Sequence, residues 1–418
     1  MILRIMLWST IFVNILSKSS TQRIYPGNTL LEYFMNHLDI ESYMRFFYNS
    51  DMSLETPELI TKYAGNCETH KITTKDGYLL TMFRIPRENP KGVILLQHPL
   101  TVNSRIYMTQ SNNSLAFLLW KAGYDVWLNN QRGTLFSEDH TNSSISNFDY
   151  WNFSFHEVAV YDIPSQIDLM KRVTKSSNII FIGHSQGSSS GLIYAALKNQ
   201  HAKNSIKLFI LMALPCYFEH NEVLRFLPFI VFPPLVENLI RTFQMGSVLP
   251  FLTFVVPLSK LLLSEWTPEL TEPSLLKFDP KIYFKNYSWK MLAHYLQLIS
   301  TKTRFQMFDY GKRQNLERYH SEVPPLYPIE NVSVPVYLVS SVHDSMTTLK
   351  DADLLFDRLP DSAKVYGKLD LIGLNHADYF AGKRAVTLYN KLLDFIDTLP
   401  NDKEPDVLIE NLSRNLIV

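Results

Sequence analysis

Gly183-His184-Ser185-Gln186-Gly187 sets a serine between two glycines, directly after the apolar run Asn178-Ile179-Ile180-Phe181-Ile182. The run Ser188-Ser189-Ser190-Gly191-Leu192-Ile193-Tyr194-Ala195-Ala196-Leu197 follows. The chemistry on offer is nucleophilic attack by a hydroxyl, which is weak until a neighbouring base takes its proton. The pattern is strand, sharp turn, helix. A serine at such a turn is held in a strained conformation with its oxygen lifted above the sheet. The glycines leave room for the turn, because a side chain there would collide with a neighbouring strand or helix. The pentapeptide is weak evidence by itself; its flanks make Ser185 a candidate nucleophile.

A serine so placed is served, in chain order, by an acid and then a histidine. Histidines downstream are His201, His220, His294, His320, His343 and His376. His376 lies in Leu374-Asn375-His376-Ala377-Asp378-Tyr379-Phe380, a loop before an expected C-terminal helix from Arg384 to Leu399. The acid should stand at the end of the preceding strand. Val336-Tyr337-Leu338-Val339 reads as a buried strand with Pro335 at its entry, and Ser340-Ser341-Val342-His343-Asp344 ends it. The expected triad is Ser185 as nucleophile, His376 as general base and Asp344 as acid. Taken singly, His376 also fits a loop histidine capping a helix, and Asp344 fits a turn residue. Asp351 and Asp353 compete as acids, but they fall where a helix starts.

Attack on an ester carbonyl builds negative charge on oxygen, and two backbone N–H groups normally receive it. One is that of the residue after the nucleophile, Gln186. The other comes from a loop after an earlier strand, here Val93-Ile94-Leu95-Leu96-Gln97 running into His98-Pro99-Leu100. From this point the chain resembles the acid lipase family, which includes gastric and lysosomal acid lipases. That family carries a Gln-His-Gly-Leu loop here and a Gly-His-Ser-Gln-Gly elbow. The resemblance extends through Asp76-Gly77-Tyr78-Leu79-Leu80, Arg84-Ile85-Pro86, Ala122-Gly123-Tyr124-Asp125-Val126-Trp127-Leu128 and Arg132-Gly133. It continues through Trp151-Asn152-Phe153-Ser154-Phe155, Tyr161-Asp162-Ile163-Pro164, Phe308-Asp309-Tyr310-Gly311 and Asn375-His376, covering Leu54 to Leu399. It implies the N–H of Leu100 as the second oxyanion donor. The chain departs from the pattern at Pro99, where the family has glycine. Proline fixes φ near −65°, so a family glycine at positive φ would mean a reshaped loop and a displaced Leu100. Asn129-Asn130-Gln131-Arg132-Gly133 departs from the usual Gly-x-Ser-Arg-Gly; a structural turn with Arg132 in an ion pair is the expectation there.

The 418 residues suffice for one large α/β domain with an insertion. Lys+Arg and Asp+Glu balance at 40 each, which argues against nucleic acid as a partner. Arg4, the apolar stretch Ile5–Leu16 and the small residues Ser17, Ser19 and Ser20 read as a secretory signal over 1–20, with an uncleaved anchor as the alternative. Twelve residues are too few to span a bilayer. Sequons stand at Asn112, Asn142, Asn152, Asn286, Asn331 and Asn411, in keeping with a secreted or lysosomal glycoprotein. The two cysteines, Cys67 and Cys216, permit one bridge; two free or buried thiols is the expectation, and nothing suggests a metal. The cysteine pair that family members often carry in the cap is missing.

Residues 22–60 read as an arm with short helices. Thr69–Thr74 and Tyr78–Arg84 flank Lys75-Asp76-Gly77 as a hairpin. Strands and helices then alternate, including a helix after Asp162, an expected N-cap followed by proline, with Ile163, Ile167 and Met170 at helical spacing. The alternation predicts an α/β fold, a mostly parallel sheet with helices on both faces; the resemblance makes it an α/β-hydrolase fold. The pattern breaks over 217–325, where prolines divide apolar runs. This stretch reads as an inserted, mainly helical cap between core segments 21–216 and 326–400, with 401–418 as a tail. Its apolar residues would line an acyl-chain site, or simply bind the cap to the sheet. The expected function is a cofactor-independent serine lipase or esterase acting on neutral lipid esters at a lipid–water interface. The rival is a lipid carrier of the same fold with weak turnover caused by Pro99.

Overall fold

A parallel strand is covered on both faces and must be apolar throughout. The segments Val93–Gln97, Ile179–His184 and Val336–Ser341 meet that demand, and every residue in them is buried. The computed structural model describes residues 50–221, 288–381, 384–400 and 416–417. The chain divides into units 1–48 and 49–418, and all described residues belong to the second. The expected signal, most of the N-terminal arm, the proline-divided runs of the cap, Asn286 and Asn411 lie outside the described residues.

The strands are β1 (Glu68–Thr73), β2 (Tyr78–Ile85), β3 (Val93–Gln97), β4 (Asp125–Leu128), β5 (Asp139–His140), β6 (Ile179–His184), β7 (Ile206–Met212), β8 (Val336–Ser341), β9 (Lys368–Ile372) and β10 (Leu416–Ile417). They form one sheet in the order β1-β2-β4-β3-β6-β7-β8-β9-β10, with β5 on β2. β1 and β2 make the expected antiparallel hairpin. β2 meets β4 antiparallel, and from β4 to β10 every pairing is parallel. The helices used below are α1 (Thr56–Ala64), α2 (Leu115–Lys121), α3 (Ile163–Thr174), α4 (Gln186–Leu197), α5 (Trp289–Thr301), α6 (Leu349–Arg358) and α7 (Ala385–Asp397).

Alternate residues of each strand feed opposite cores. Leu95, Phe181, Phe209 and Leu338 face one side with Ile167 and Met170 of α3, Leu192 of α4 and Trp289 and Leu298 of α5. Leu96, Ile182, Ile210 and Val339 face the other with α1, α2 and α7. Full burial of each such side chain stabilises the fold by about 1.5–3 kcal/mol. The described margins of the expected cap belong to this packing: Tyr217, Phe218, Trp289, Phe305 and Phe308 are all part of the first core.

One expectation is corrected. Asp162 does not cap α3; it has helical dihedrals (φ −67°, ψ −58°) and its side chain makes no cap hydrogen bond. A π-helical turn, Val158–Asp162, leads continuously into the helix. The carboxylate instead serves a buried guanidinium, described below.

Candidate active site

The strand register sets the site. Gln97 pairs with Gly183, His184 with Met212, Met212 with Val339, and Ser341 with Leu371. The C-terminal ends of β3, β6, β8 and β9 therefore lie along one sheet edge, where ligands bind in open α/β sheets. Ser185 stands at the turn from β6 to α4 with φ 52° and ψ −122°, a strained conformation for a residue with a side chain. The turn is locked by Ser185 N–H donating to Met212 O at 2.9 Å. A Cβ at Gly183 would come within 2.8 Å of Ser188 N, and one at Gly187 within 2.3 Å of Gln97 O. The second figure shows how closely the start of α4 sits on the end of β3.

Ser185 Oγ lies 2.9 Å from His376 Nε2, and His376 Nδ1 lies 2.9 Å from Asp344 Oδ2. Asp344 is 2% exposed. Its Oδ1 accepts from Met346 N–H and Thr347 N–H, each at 2.9 Å, and Oδ2 accepts from the Thr347 hydroxyl at 2.7 Å. A carboxylate so saturated is an acceptor, which places the imidazole proton on Nδ1 and leaves Nε2 free to take one from Ser185. The competing acids are elsewhere: Asp351 sits in the first turn of α6, and Asp353 pairs with Lys368. The His376 loop is fixed by Asn375 N–H donating to Asp378 Oδ2 and by Ala377 and Asp378 N–H donating to Asn375 Oδ1. His343 Nδ1 accepts from Gly373 N–H at 3.0 Å, tying the acid loop to the base loop.

On the opposite side, Pro99 keeps negative φ and the left-handed residue of the loop is Thr101 (φ 63°). The Leu100 and Gln186 N–H groups have no acceptor among the described residues. Behind the loop, His98 Nδ1 donates to Pro99 O at 2.8 Å and its Nε2 accepts from Gln131 N–H at 3.2 Å. Burial pushes the His98 pKa down to about 4, so the ring is neutral and its tautomer is set. A buried amide layer continues inward, with Asn129 donating to Gln97 and Gln166 to Asn129. Tyr107 OH donates to Gln97 O at 2.7 Å. Below it Arg132, 1% exposed, holds Asp162 Oδ1 at 2.6 Å and Asp76 Oδ2 at 2.6 Å. Burial opposes the guanidinium charge, yet Asp162 and Asp76 keep it raised above its ordinary pKa. The structural role expected of Arg132 is what its contacts describe.

His184 packs its ring 4.9 Å from His376 and 4.4 Å from Phe380. Burial, and then the neighbouring His376, hold it well below the ordinary histidine pKa, so it offers an uncharged wall to the base. Asn112, Asn142, Asn152 and Asn331 are exposed. Cys67 and Cys216 are free thiols, the second buried. Sequence reading passed over His98, His343, Asn375 and Asp378 as participants. Their signal was adjacency to expected site residues, which does not say which way a side chain turns.

The fold and the site edge define an α/β hydrolase. The family described as "alpha/beta hydrolase fold" matches residues 92–367, and "Partial alpha/beta-hydrolase lipase region" matches 56–111. Lipase 1 of Drosophila melanogaster is 30% identical over 84% of this chain and 81% of its own. Gastric triacylglycerol lipase of Bos taurus is 29% identical over 83% of this chain and 92% of its own. Lysosomal acid lipase/cholesteryl ester hydrolase of Macaca fascicularis is 28% identical over 83% and 92%. A soluble variant of monoglyceride lipase from Saccharomyces cerevisiae shares the fold, with TM-score 0.51 and 17% identity over 84% of this chain and 97% of that one. The chain belongs to the α/β-hydrolase fold family and, within it, to the acid lipases. It is a carboxylic ester hydrolase. Among the described residues no helix is long and apolar enough to cross a membrane.

Proposed function

We propose that the protein is a serine lipase that hydrolyses neutral lipid esters, triacylglycerols foremost and sterol esters as a second class. The observation that carries this reading is the Ser185–His376–Asp344 relay, with 2.9 Å at each link, on a strained turn at the sheet edge. His376 Nε2 takes the Ser185 proton as Oγ attacks the ester carbonyl. The carbonyl π electrons move to oxygen, and the N–H groups of Gln186 and Leu100 receive that charge. On collapse the alkoxy group leaves with the proton from His376, and an acyl-enzyme remains. Water, deprotonated by His376, then attacks the acyl carbonyl; the Ser185 Oγ–acyl bond breaks, His376 returns the proton to Oγ, and the fatty acid is released. Asp344 keeps the imidazole in the right tautomer and stabilises imidazolium throughout. None of these steps calls on a cofactor.

The names of the bovine and macaque relatives support the two ester classes and a secreted or lysosomal setting, and the exposed sequon asparagines are compatible with that route. We read 217–325 as the inserted cap that sets chain-length preference. The test is a panel of emulsified triacylglycerol, emulsified sterol ester and a soluble short-chain ester, each run beside Ser185→Ala. Fatty acid released from the emulsions by the native chain and not by the variant supports the reading. Turnover of the soluble ester alone refutes lipids as substrates.

A further inference from the structure

Asn221 is the last residue before the 222–287 segment; its side chain is 2% exposed and reaches back to the acid loop. Its amide nitrogen donates to Ser345 O and Met346 O, each at 2.9 Å. These carbonyls belong to the Ser345–Met346 and Met346–Thr347 peptide groups. The N–H ends of the same peptide groups, those of Met346 and Thr347, donate to Asp344 Oδ1 at 2.9 Å. A peptide group is planar, so turning its carbonyl also turns its N–H. Asn221 and the carboxylate thus grip opposite edges of two shared planes. Each hydrogen bond also polarises the group that makes the other. His220 holds the far end of the turn, with its backbone N–H and Nδ1 each 3.1 Å from Asp351 Oδ1.

We propose that Asn221 is a positioning residue for Asp344: by fixing the Ser345 and Met346 peptide groups it aims the carboxylate at His376. This rests on the reading of Ser185, His376 and Asp344 as the working triad. It joins the chain's exit toward 222–287 to the acid through two peptide groups, so a change at that root reaches the rate without touching substrate.

The test measures kcat and KM on a soluble short-chain ester for Asn221→Ala, in the native background and in Asp344→Asn. In the native background kcat falls by ~10-fold or more with KM within ~2-fold, since orientation of the base is a transition-state matter. In Asp344→Asn the same change costs less than ~2-fold, because the group being aimed is already disabled. An unchanged kcat beside a slow Asp344→Asn overturns the inference and leaves the triad standing. Equal losses in both backgrounds also overturn it, since they mark a merely structural amide. Full activity of Asp344→Asn itself removes the acid and the inference together. Should Asn221→Ala not fold, Asn221→Ser keeps one short donor and carries the same comparison, with an expected loss of ~3-fold or more confined to the native background.

Discussion

On the β8–β9 side of the site, one carboxylate accepts hydrogen bonds from two peptide N–H groups, a hydroxyl and an imidazole, all within four residues of itself or on the adjoining loop. On the β3–β4 side, the oxyanion loop is backed by a neutral histidine, an amide layer and a buried arginine drawn from three separate segments. The first wall is local and charged at its working end. The second is assembled from afar and keeps its only charges beneath the site. Failure of the first should appear as lost rate; failure of the second should appear as lost stability first and rate afterwards.

The largest contrast comes from Asp344→Asn. It leaves the shape of the first wall intact and reverses the tautomer logic, so kcat should fall by roughly 10³–10⁴ while the unfolding midpoint barely moves. A rate within tenfold of native would assign the acid elsewhere. On the second wall, Arg132→Met leaves Asp162 buried without its cation. The expected cost is about 3–5 kcal/mol in denaturant unfolding, with the folded fraction still turning over substrate. A loss under about 1 kcal/mol would mean that water reaches Asp162.

pH separates the walls further. The folded pKa of His98 is about 4 against an ordinary value of 6.5. On acidification the unfolded chain takes up the proton first, so stability is complete above about pH 6.5 and is lost as pH falls toward 4. The loss reaches about 3 kcal/mol from this ring. His294, pushed by burial to about 3, acts in the same direction. His98→Gln should remove the first part of that slope, as measured by unfolding midpoints from pH 7.5 to 4. A native chain whose stability is flat over that range would contradict the assigned burial.

The smallest effect is expected at Pro99. The loop takes its left-handed residue at Thr101, so Pro99 is not forced where only glycine is comfortable. Pro99→Gly should leave kcat within ~3-fold. It should cost up to about 1 kcal/mol of stability through the freer unfolded chain. A tenfold rise in kcat would show that proline displaces the Leu100 N–H.

The same contrast explains what was legible in the sequence. Ser185 and Asp344 each follow a strand that declares itself by apolar residues, and His376 stands in a loop before a periodic C-terminal helix, so their order and context could be read directly; β9, the strand before His376, carries Lys368 and Asp370 and gave no such signal. The alternation of strands and helices gave the sheet for the same reason. The second wall has no such signature: Gln97, His98, Asn129, Gln131 and Gln166 are ordinary polar residues until the sheet brings them together. Asp162 was misread because an Asp before Ile-Pro looks like a cap, while its partner Arg132 lies 30 residues away. Asn221 was invisible because its meaning rests on two carbonyls 124 and 125 residues downstream.

The central claim is that Ser185 Oγ, activated through His376, is the nucleophile. Incubation with a fluorophosphonate ester, followed by peptide mass spectrometry, tests it most directly. The prediction is one phosphonyl group per chain, on the peptide containing Ser185, abolished in Ser185→Ala and slowed strongly in Asp344→Asn. Labelling that persists in Ser185→Ala, or a native enzyme that hydrolyses ester while Ser185 stays unlabelled, would contradict it.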